Sequence, residues 1–332
     1  MQTMTTLPIF CARVALLLGM LTLVQAASAH GVHEHADSVA PVNTGSLTPD
    51  EMIQQYTRTG DDSLLEAARR QLGDTRQASG AHTLLQRAWL AQAEHRFTRA
   101  RELLAQVLWE QPGNGQAWLL EASVAQVAGD TAAARRACAR VAMSVSPDAA
   151  MTCFARLAYT PADKKAAYHR LQAAQARTAD PRLRAWRWSV RAELARDLGK
   201  LDAAEKDFRR SIAAVPAVQT RASLIDLFLQ QQRYADALAL SADTLSVPAI
   251  AVRRLLARKG LGEDIQESAQ GIDALFRRWL AAGDFRHARE MAMFYLDVLP
   301  DAELAFQAAR KNARLQREPE DLALLRRAAK MS

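Results

Sequence analysis

The chain has 332 residues and a formal net charge of +7, and hydrophobic residues make up 49% of it. Aromatic residues contribute only 6%, and there are just 14 glycines and 11 prolines, so the composition favours helices with an alanine- and leucine-rich core over a β-sheet protein. Basic and acidic residues alternate along the chain without long basic blocks, which argues against a nucleic-acid-binding protein.

Residues 1–29 have the pattern of a cleaved secretory signal peptide. Arg13 precedes an apolar run, residues 14–24, that is too short to span a bilayer, and the small residues Ala27 and Ala29 follow it. No later stretch is apolar enough to cross a membrane. We therefore expect a protein that is periplasmic or secreted and does not span a membrane.

Residues 30–46 lack helical periodicity and are predicted to form a flexible leader. His30, His33 and His35 lie close together in it, and cleavage after Ala29 would give His30 a free amino group. Imidazoles and an amine suit Cu(II) or Ni(II), and Zn(II) less selectively. One interpretation is a metal site, and the other is a polar leader whose histidines have no role.

The rest of the chain, residues 47–332, is predicted to consist of helical hairpins in a repeating register. From Trp188 onward, apolar and small residues recur at helical spacing, a glycine breaks the run, and a proline ends the second helix. The ladder consists of Trp188, Ala192, Ala195, Gly199, Ala204, Phe208 and Pro216.

Three other stretches repeat this ladder, starting at Leu84, Trp118 and Ile272. In the first of them, His95 stands in the place of the glycine. In the last, Phe276 and Trp279 stand where small residues are expected, which predicts looser helix packing. The clearest units are residues 81–114, 115–148, 185–218 and 269–302.

This ladder resembles the tetratricopeptide repeat (TPR) family, whose units are helix–turn–helix pairs of 34 residues. The resemblance implies an all-α, right-handed solenoid of stacked helical hairpins. It also implies a concave groove that binds protein or peptide partners. Neither the handedness nor the groove follows from the residue spacing alone.

Candidate partner-binding residues are those that point away from the packing ladder. At 100° per residue, Trp89 and Trp186 fall on that other face in two different units. Tryptophan and arginine are frequent anchors of protein interfaces. The alternative is that both tryptophans pack between neighbouring repeats. Other predicted residues of this surface are Gln92, Gln126, Arg196 and Arg277.

Cys138 and Cys153 flank a predicted turn at Ser146–Pro147, at similar heights on adjacent helices. An oxidising compartment would allow a disulfide between them. The alternative is two small buried thiols, because Cys138 occupies a core position of its repeat.

The sequence contains none of the common hydrolase, metalloprotease or phosphate-loop motifs, so we expect no enzyme activity. The favoured function is an exported, non-catalytic scaffold or adaptor that binds protein or peptide partners. The alternative is a periplasmic metal-handling protein that captures copper, nickel or zinc with its leader histidines and docks a transporter or acceptor with its repeats.

Overall fold

A computed structural model describes residues 46–73, 80–174, 178–242 and 247–331, and in these ranges the only regular structure is helical. The helices α1 to α17 are, in order, Pro49–Thr59, Asp62–Leu72, Ala81–Ala93, Phe97–Glu110, Gly115–Val127, Thr131–Ser144, Pro147–Ala155, Pro161–Ala173, Pro181–Asp197, Leu201–Ala214, Val218–Gln230, Tyr234–Leu240, Pro248–Gly260, Gln266–Ala281, Ala288–Met293, Ala302–Leu315 and Pro319–Met331. The predicted all-α helical repeat fold is confirmed.

Consecutive helices pair into hairpins, and each hairpin packs on the next. The most extensive contacts lie within α3–α4, α5–α6 and α9–α10, and further contacts join α4 to α5 and α10 to α11. Each hairpin therefore buries an apolar face against its neighbours in the chain, as in a solenoid. The core is a series of hydrophobic layers between hairpins rather than one central cluster.

The small residues of the ladder allow the paired helices to approach closely. In the ladders that start at Leu84, Trp118 and Trp188, the alanines four and seven residues after the start are at most 5% exposed, and so are the alanines of the second helix that are named below. Because a methyl group fills these positions completely, a larger side chain would force the helices apart. The buried alanines are Ala88, Ala91, Ala100, Ala122, Ala125, Ala134, Ala192, Ala195 and Ala204.

The turn between the two helices of a hairpin has the same backbone conformation in several units. Gly129, Gly199 and Gly283 have φ between +69° and +82°, and His95 and Gln232 both have φ of +57°. In each turn, the residue after this left-handed position donates its N–H to a carbonyl five residues earlier, which satisfies an otherwise free helix end. His95 therefore adopts a conformation that usually favours glycine.

Helix α14 packs more loosely than the first helices of the other units. Of its 16 residues, only Ala269 and Phe276 are buried. The Phe276 ring lies in an aromatic cluster with Phe294 and Tyr295, and Trp279 packs beside it. In the other units, small residues at these positions let the partner helix approach closely. In α14 the rings of Phe276 and Trp279 fill that space instead. The partner helix α15 is short and continues into a single π-helical turn, Phe294–Val298.

Candidate functional site

The candidate site is a surface at which the turns of four consecutive hairpins meet the C-terminal end of the chain. We call it the turn surface and define it by His95, Val127, Gly129, Arg156 and Arg196. These residues lie in or beside the turns α3–α4, α5–α6, α7–α8 and α9–α10. The segment that lies on this surface, residues 316–320, is called the crossing segment.

The crossing segment joins α16 to α17 and includes the first residues of α17. Gln316 has an extended backbone, with φ −114° and ψ 125°. The Arg317 N–H donates to the Val127 carbonyl oxygen at 2.8 Å, so the segment binds the turn surface through its main chain. A Cβ on Gly129 would lie 3.1 Å from Cδ of Arg317, so the glycine allows this close approach.

Side chains of the crossing segment reach three polar groups of the turn surface. The Gln316 amide nitrogen lies 3.0 Å from Nδ1 of His95. The Glu318 carboxylate accepts from Arg156 at 3.4 Å, and a carboxylate oxygen of Glu320 lies 3.7 Å from the Arg196 guanidinium. The segment is thus held by one main-chain hydrogen bond, one contact between an amide and an imidazole, and two contacts between a carboxylate and an arginine.

Behind the crossing segment, Asp321 and Arg289 form a buried ion pair. The Asp321 carboxylate is fully buried and accepts from Nε of Arg289 at 2.8 Å and from the Asn312 amide at 2.7 Å. Burial raises the pKa of Asp321, although Arg289 opposes the rise. Burial also disfavours the charged form of Arg289, yet Asp321 and Glu318 together hold the pKa of Arg289 above its usual value. This pair anchors the start of α17 to α15.

The first hairpin also contacts distant parts of the chain. The His287 Nε2 lies 2.9 Å from a carboxylate oxygen of Asp62, and the same carboxylate lies 3.6 Å from Arg286. The ring of His287 stacks on Trp279 at 5.1 Å between centroids. Burial lowers the pKa of His287, but the hydrogen bond and the charge of Asp62 outweigh it, so the pKa is raised. The contact with Asp62 therefore favours the charged form of His287.

A second contact of the first hairpin is steric. A Cβ on Gly60, in the α1–α2 turn, would lie 2.7 Å from a methyl group of Val247 and 3.3 Å from one of Val218. Helix α1 also packs on α11. The first hairpin is therefore tied to α11, to the start of α13 and to the residues just before α15, as well as to its immediate neighbours.

His95 is the histidine of the turn surface, and it is neutral near pH 7. Burial lowers its pKa to about 4, against the attraction of nearby carboxylates. Its ring stacks on Phe97 at 5.6 Å between centroids and faces Gln316. A neutral imidazole can accept the amide hydrogen of Gln316, which a charged one cannot do on a protonated nitrogen.

Three of the predicted partner-binding residues lie at or near the turn surface. Gln126 is partly buried, and its amide lies 3.4 Å from the Arg156 carbonyl oxygen. Arg196 pairs with Glu193 at 2.5 Å and lies near Glu320. Gln92, also partly buried, accepts the His95 N–H through its main-chain carbonyl.

The other three predicted residues have different surroundings. Trp89 and Trp186 are partly buried and pack against hydrophobic clusters between neighbouring hairpins. Arg277 is exposed and pairs with Asp273 on its own helix at 2.9 Å, and with Asp301 at 3.5 Å. Arg277 therefore links α14 to the start of α16, and these two contacts do not involve the crossing segment.

The sequence analysis did not identify Arg156, Arg289, Glu318 and Asp321. None belongs to the repeat ladder, and the ion pairs among them span 29 to 162 residues of sequence, so no local spacing marks them. His95 did give a signal, because a histidine in the place of a turn glycine is unusual. That signal indicated an exceptional turn but not its contact with the C-terminal end.

Cys138 of α6 and Cys153 of α7 are joined by a disulfide, with Cα atoms 5.5 Å apart. His30, His33 and His35 lie outside the described residues. Within the described ranges, no group of three or more His, Cys, Asp or Glu side chains is arranged to hold a metal ion. In those ranges, too, every helix is too short or too polar to cross a membrane.

A scan against protein-family models finds no match, and a search of curated proteins finds none either. Solved structures with a similar fold include a thermophilic TPR protein of Thermus thermophilus, at 21% identity and TM-score 0.45 over 55% of this chain and 99% of that one. Another is a TPR protein of Parabacteroides merdae, at 15% identity and TM-score 0.38 over 85% and 98%. A third is the Cut9–Hcn1 hetero-tetramer of APC/C, at 17% identity and TM-score 0.44 over 84% and 48%.

Proposed function

We propose that the chain is an exported, non-catalytic, TPR-like scaffold that binds protein or peptide partners through its turn surface. The observation that carries this proposal is the crossing segment itself. The turn surface holds it with a main-chain hydrogen bond at Val127 and with side-chain contacts on either side of that bond. Proteins that recognise peptides use the same combination, in which the main chain contributes affinity and the side chains contribute specificity.

The chemistry around the turn surface supports a binding role rather than catalysis. The polar side chains there are engaged with one another: Asp62 with His287, Asp321 with Arg289, and Glu318 with Arg156. Paired groups of this kind hold the chain in one conformation. We therefore assign these residues to positioning and recognition.

Two observations support export. The first is the signal-like pattern of residues 1–29. The second is the disulfide between Cys138 and Cys153, because structural disulfides persist mainly in oxidising compartments outside the cytoplasm.

A photo-crosslinking amino acid in place of Gln126 tests the binding role directly in the source cells. Gln126 borders the turn surface, so we expect a discrete crosslinked species at this position. Met143 is the matched control, because it lies on the same hairpin and is 87% exposed, but stands at the end of α6 opposite the α5–α6 turn. No crosslink at position 126, or the same crosslinks from both positions, would contradict the assignment.

The second candidate function, metal handling, is supported by the histidines of the leader. Three imidazoles and a predicted free amine occur within a few residues, at His30, His33 and His35. We propose this as an additional role of the leader, since copper, nickel or zinc binding there is compatible with partner binding by the repeats.

A further inference from the structure

The turn surface presents two arginines whose carboxylate contacts include residues of the crossing segment. Arg156, at the end of α7, faces Glu318, whose carboxylate also lies 3.3 Å from Arg289 of α15, and Arg196, near the end of α9, faces Glu320 in addition to Glu193. The Val127 carbonyl oxygen, in the turn of the preceding hairpin α5–α6, is satisfied by the Arg317 N–H. A chain that occupies this surface must therefore supply one main-chain donor and two carboxylates in a short stretch.

The contacts of the crossing segment are of a kind that another chain could replace. The side chains of Arg156 and Glu318 are 33% and 22% exposed, and that of Glu320 is 51% exposed. Ion pairs with this exposure contribute little each, because water competes for both charges. Helices α16 and α17, by contrast, pack on each other and on α15 through their own apolar faces. The hairpin α16–α17 therefore has support that does not depend on the turn surface.

We infer that the turn surface is a receptor for a short acidic segment of a partner protein, and that residues 316–320 occupy this receptor as a competing internal ligand. This inference rests on the proposed function and specifies the chemistry of the partner. The partner segment carries two carboxylates two residues apart, as Glu318 and Glu320 do, with a main-chain N–H just before the first. Partner binding displaces the crossing segment.

The experiment uses the full mature chain and a fluorescent peptide with the sequence of residues 313–322, followed by fluorescence anisotropy. The double variant Glu318→Gln with Glu320→Gln weakens the internal ligand but leaves the receptor intact. Because an internal competitor lowers apparent affinity by the fraction of receptor that it occupies, we expect this variant to bind the peptide about 5- to 10-fold more tightly than the unmodified chain.

The receptor is then tested in the background of the double variant, where the internal ligand no longer presents its two carboxylates. Adding Arg156→Gln should weaken peptide binding about fivefold, since the peptide loses an ion pair. Arg99→Gln is the matched control, because the Arg99 side chain is also 33% exposed and pairs with a carboxylate on its own helix. The control should bind as the double variant does.

Two results would overturn the inference. One is a double variant that binds the peptide no more tightly than the unmodified chain. The other is a peptide with glutamine at both glutamate positions that binds as well as the acidic one. If either occurs while crosslinking from position 126 persists, the surface binds a partner of different chemistry and the proposed function stands. If either occurs and the crosslink at position 126 is also absent, the proposed function is wrong as well.

A second measurement covers the case in which the double variant does not fold. Hydrogen exchange of the unmodified chain, recorded with and without the acidic peptide, follows the amides of the crossing segment directly, above all the Arg317 N–H that donates to Val127. Displacement predicts faster exchange of these amides when the peptide is present. Unchanged exchange at saturating peptide would show that the crossing segment stays in place, and the inference would be wrong.

Discussion

Replacing His95 with asparagine tests whether the imidazole on the turn surface makes the fold sensitive to acid. Burial lowers the pKa of His95 to about 4 from its usual 6.5. Asparagine stays neutral at every pH, and it adopts the left-handed backbone conformation of this position more readily than most residues. The substitution therefore removes the titration while it preserves the turn. The charged groups that face His95 are Asp62, His287, Arg289 and Glu290.

The sign of the effect follows from proton uptake in the two states. Between pH 6.5 and about pH 4, the unfolded chain protonates His95 and the folded chain does not. The unfolded state binds more protons in this window, so stability falls as the pH falls. A pKa difference of this size between the folded and unfolded states changes the free energy of unfolding by at most roughly 3 kcal/mol over this pH window. Above pH 6.5 the residue is neutral in both states and contributes no pH dependence.

The assay is urea unfolding of the unmodified chain and of His95→Asn at several pH values from about 7 down to about 4.5. Carboxylates titrate in both proteins, so the difference between the two free energies of unfolding isolates His95. We expect the variant to gain stability relative to the unmodified chain as the pH falls. A difference that stays constant over this range would refute the burial argument.

His287→Asn should change the pH dependence of stability in the direction opposite to that of His95→Asn. The pKa of His287 is raised by its pairing with Asp62, despite its burial. Its contribution is fully present below pH 6.5 and is lost as the pH rises through the folded-state pKa. The His287 variant should therefore show its largest loss of stability at low pH, where the His95 variant shows its relative gain.

Three further predictions concern other parts of the chain. Replacing Cys138 and Cys153 together with alanine should lower the free energy of unfolding by about 3 kcal/mol, because the disulfide closes a loop with a sequence separation of 15; thermal unfolding that is identical with and without the bridge would contradict this. Gly60→Ala should lower the melting temperature more than Gly262→Ala. Both glycines have φ of +76°, but only at Gly60 would a Cβ meet a valine at the start of α13, so equal losses would argue against that contact. Calorimetric titration with Cu(II), Ni(II) and Zn(II) should lose any tight binding when residues 30–37 are deleted, and a titration unchanged by the deletion would exclude the leader as the metal site.

The repeat fold was predictable because its determinants are local. The ladder positions lie within one hairpin, and burial of Ala192, Ala195 and Phe208 follows from packing between two helices joined by a short turn. The looser packing of α14 was predictable for the same reason, because Phe276 and Trp279 stand at positions of close helix contact. The size of the residue at a known ladder position is enough to predict both the close helix packing of the other units and the looser packing of α14.

The turn surface was only partly predictable. Gln126 and Arg196 were identified because they point away from the ladder, which is a property of a single helix. The same reasoning selected Trp89, which packs between neighbouring hairpins, since one helical face can meet the next repeat as readily as a partner. Arg277 was selected because it lies near the same helix face, and its pairing with Asp273 depends on an acid one turn away.

The contacts between hairpins that are distant in sequence could not be predicted from the ladder. Asp62 and His287 are 225 residues apart, and Gln316 and His95 are 221 apart. Their meeting depends on the rotation between successive hairpins, summed over the whole solenoid. Small changes in each hairpin interface alter that sum, and no residue pattern within a single unit records it.

The charges at this meeting point restrict what can take the place of the crossing segment. Arg196 is largely buried, and its contacts include Glu193 on its own helix and Glu320 from the crossing segment. Arg196 keeps Glu193 when Glu320 is absent, so a neutral segment loses only the weaker contact at 3.7 Å, while a basic segment is also repelled by the guanidinium. The Val127 carbonyl adds the requirement for a main-chain donor close by. The turn surface therefore favours a segment that places carboxylates near Arg156 and Arg196 and a main-chain donor at Val127, as its own crossing segment does.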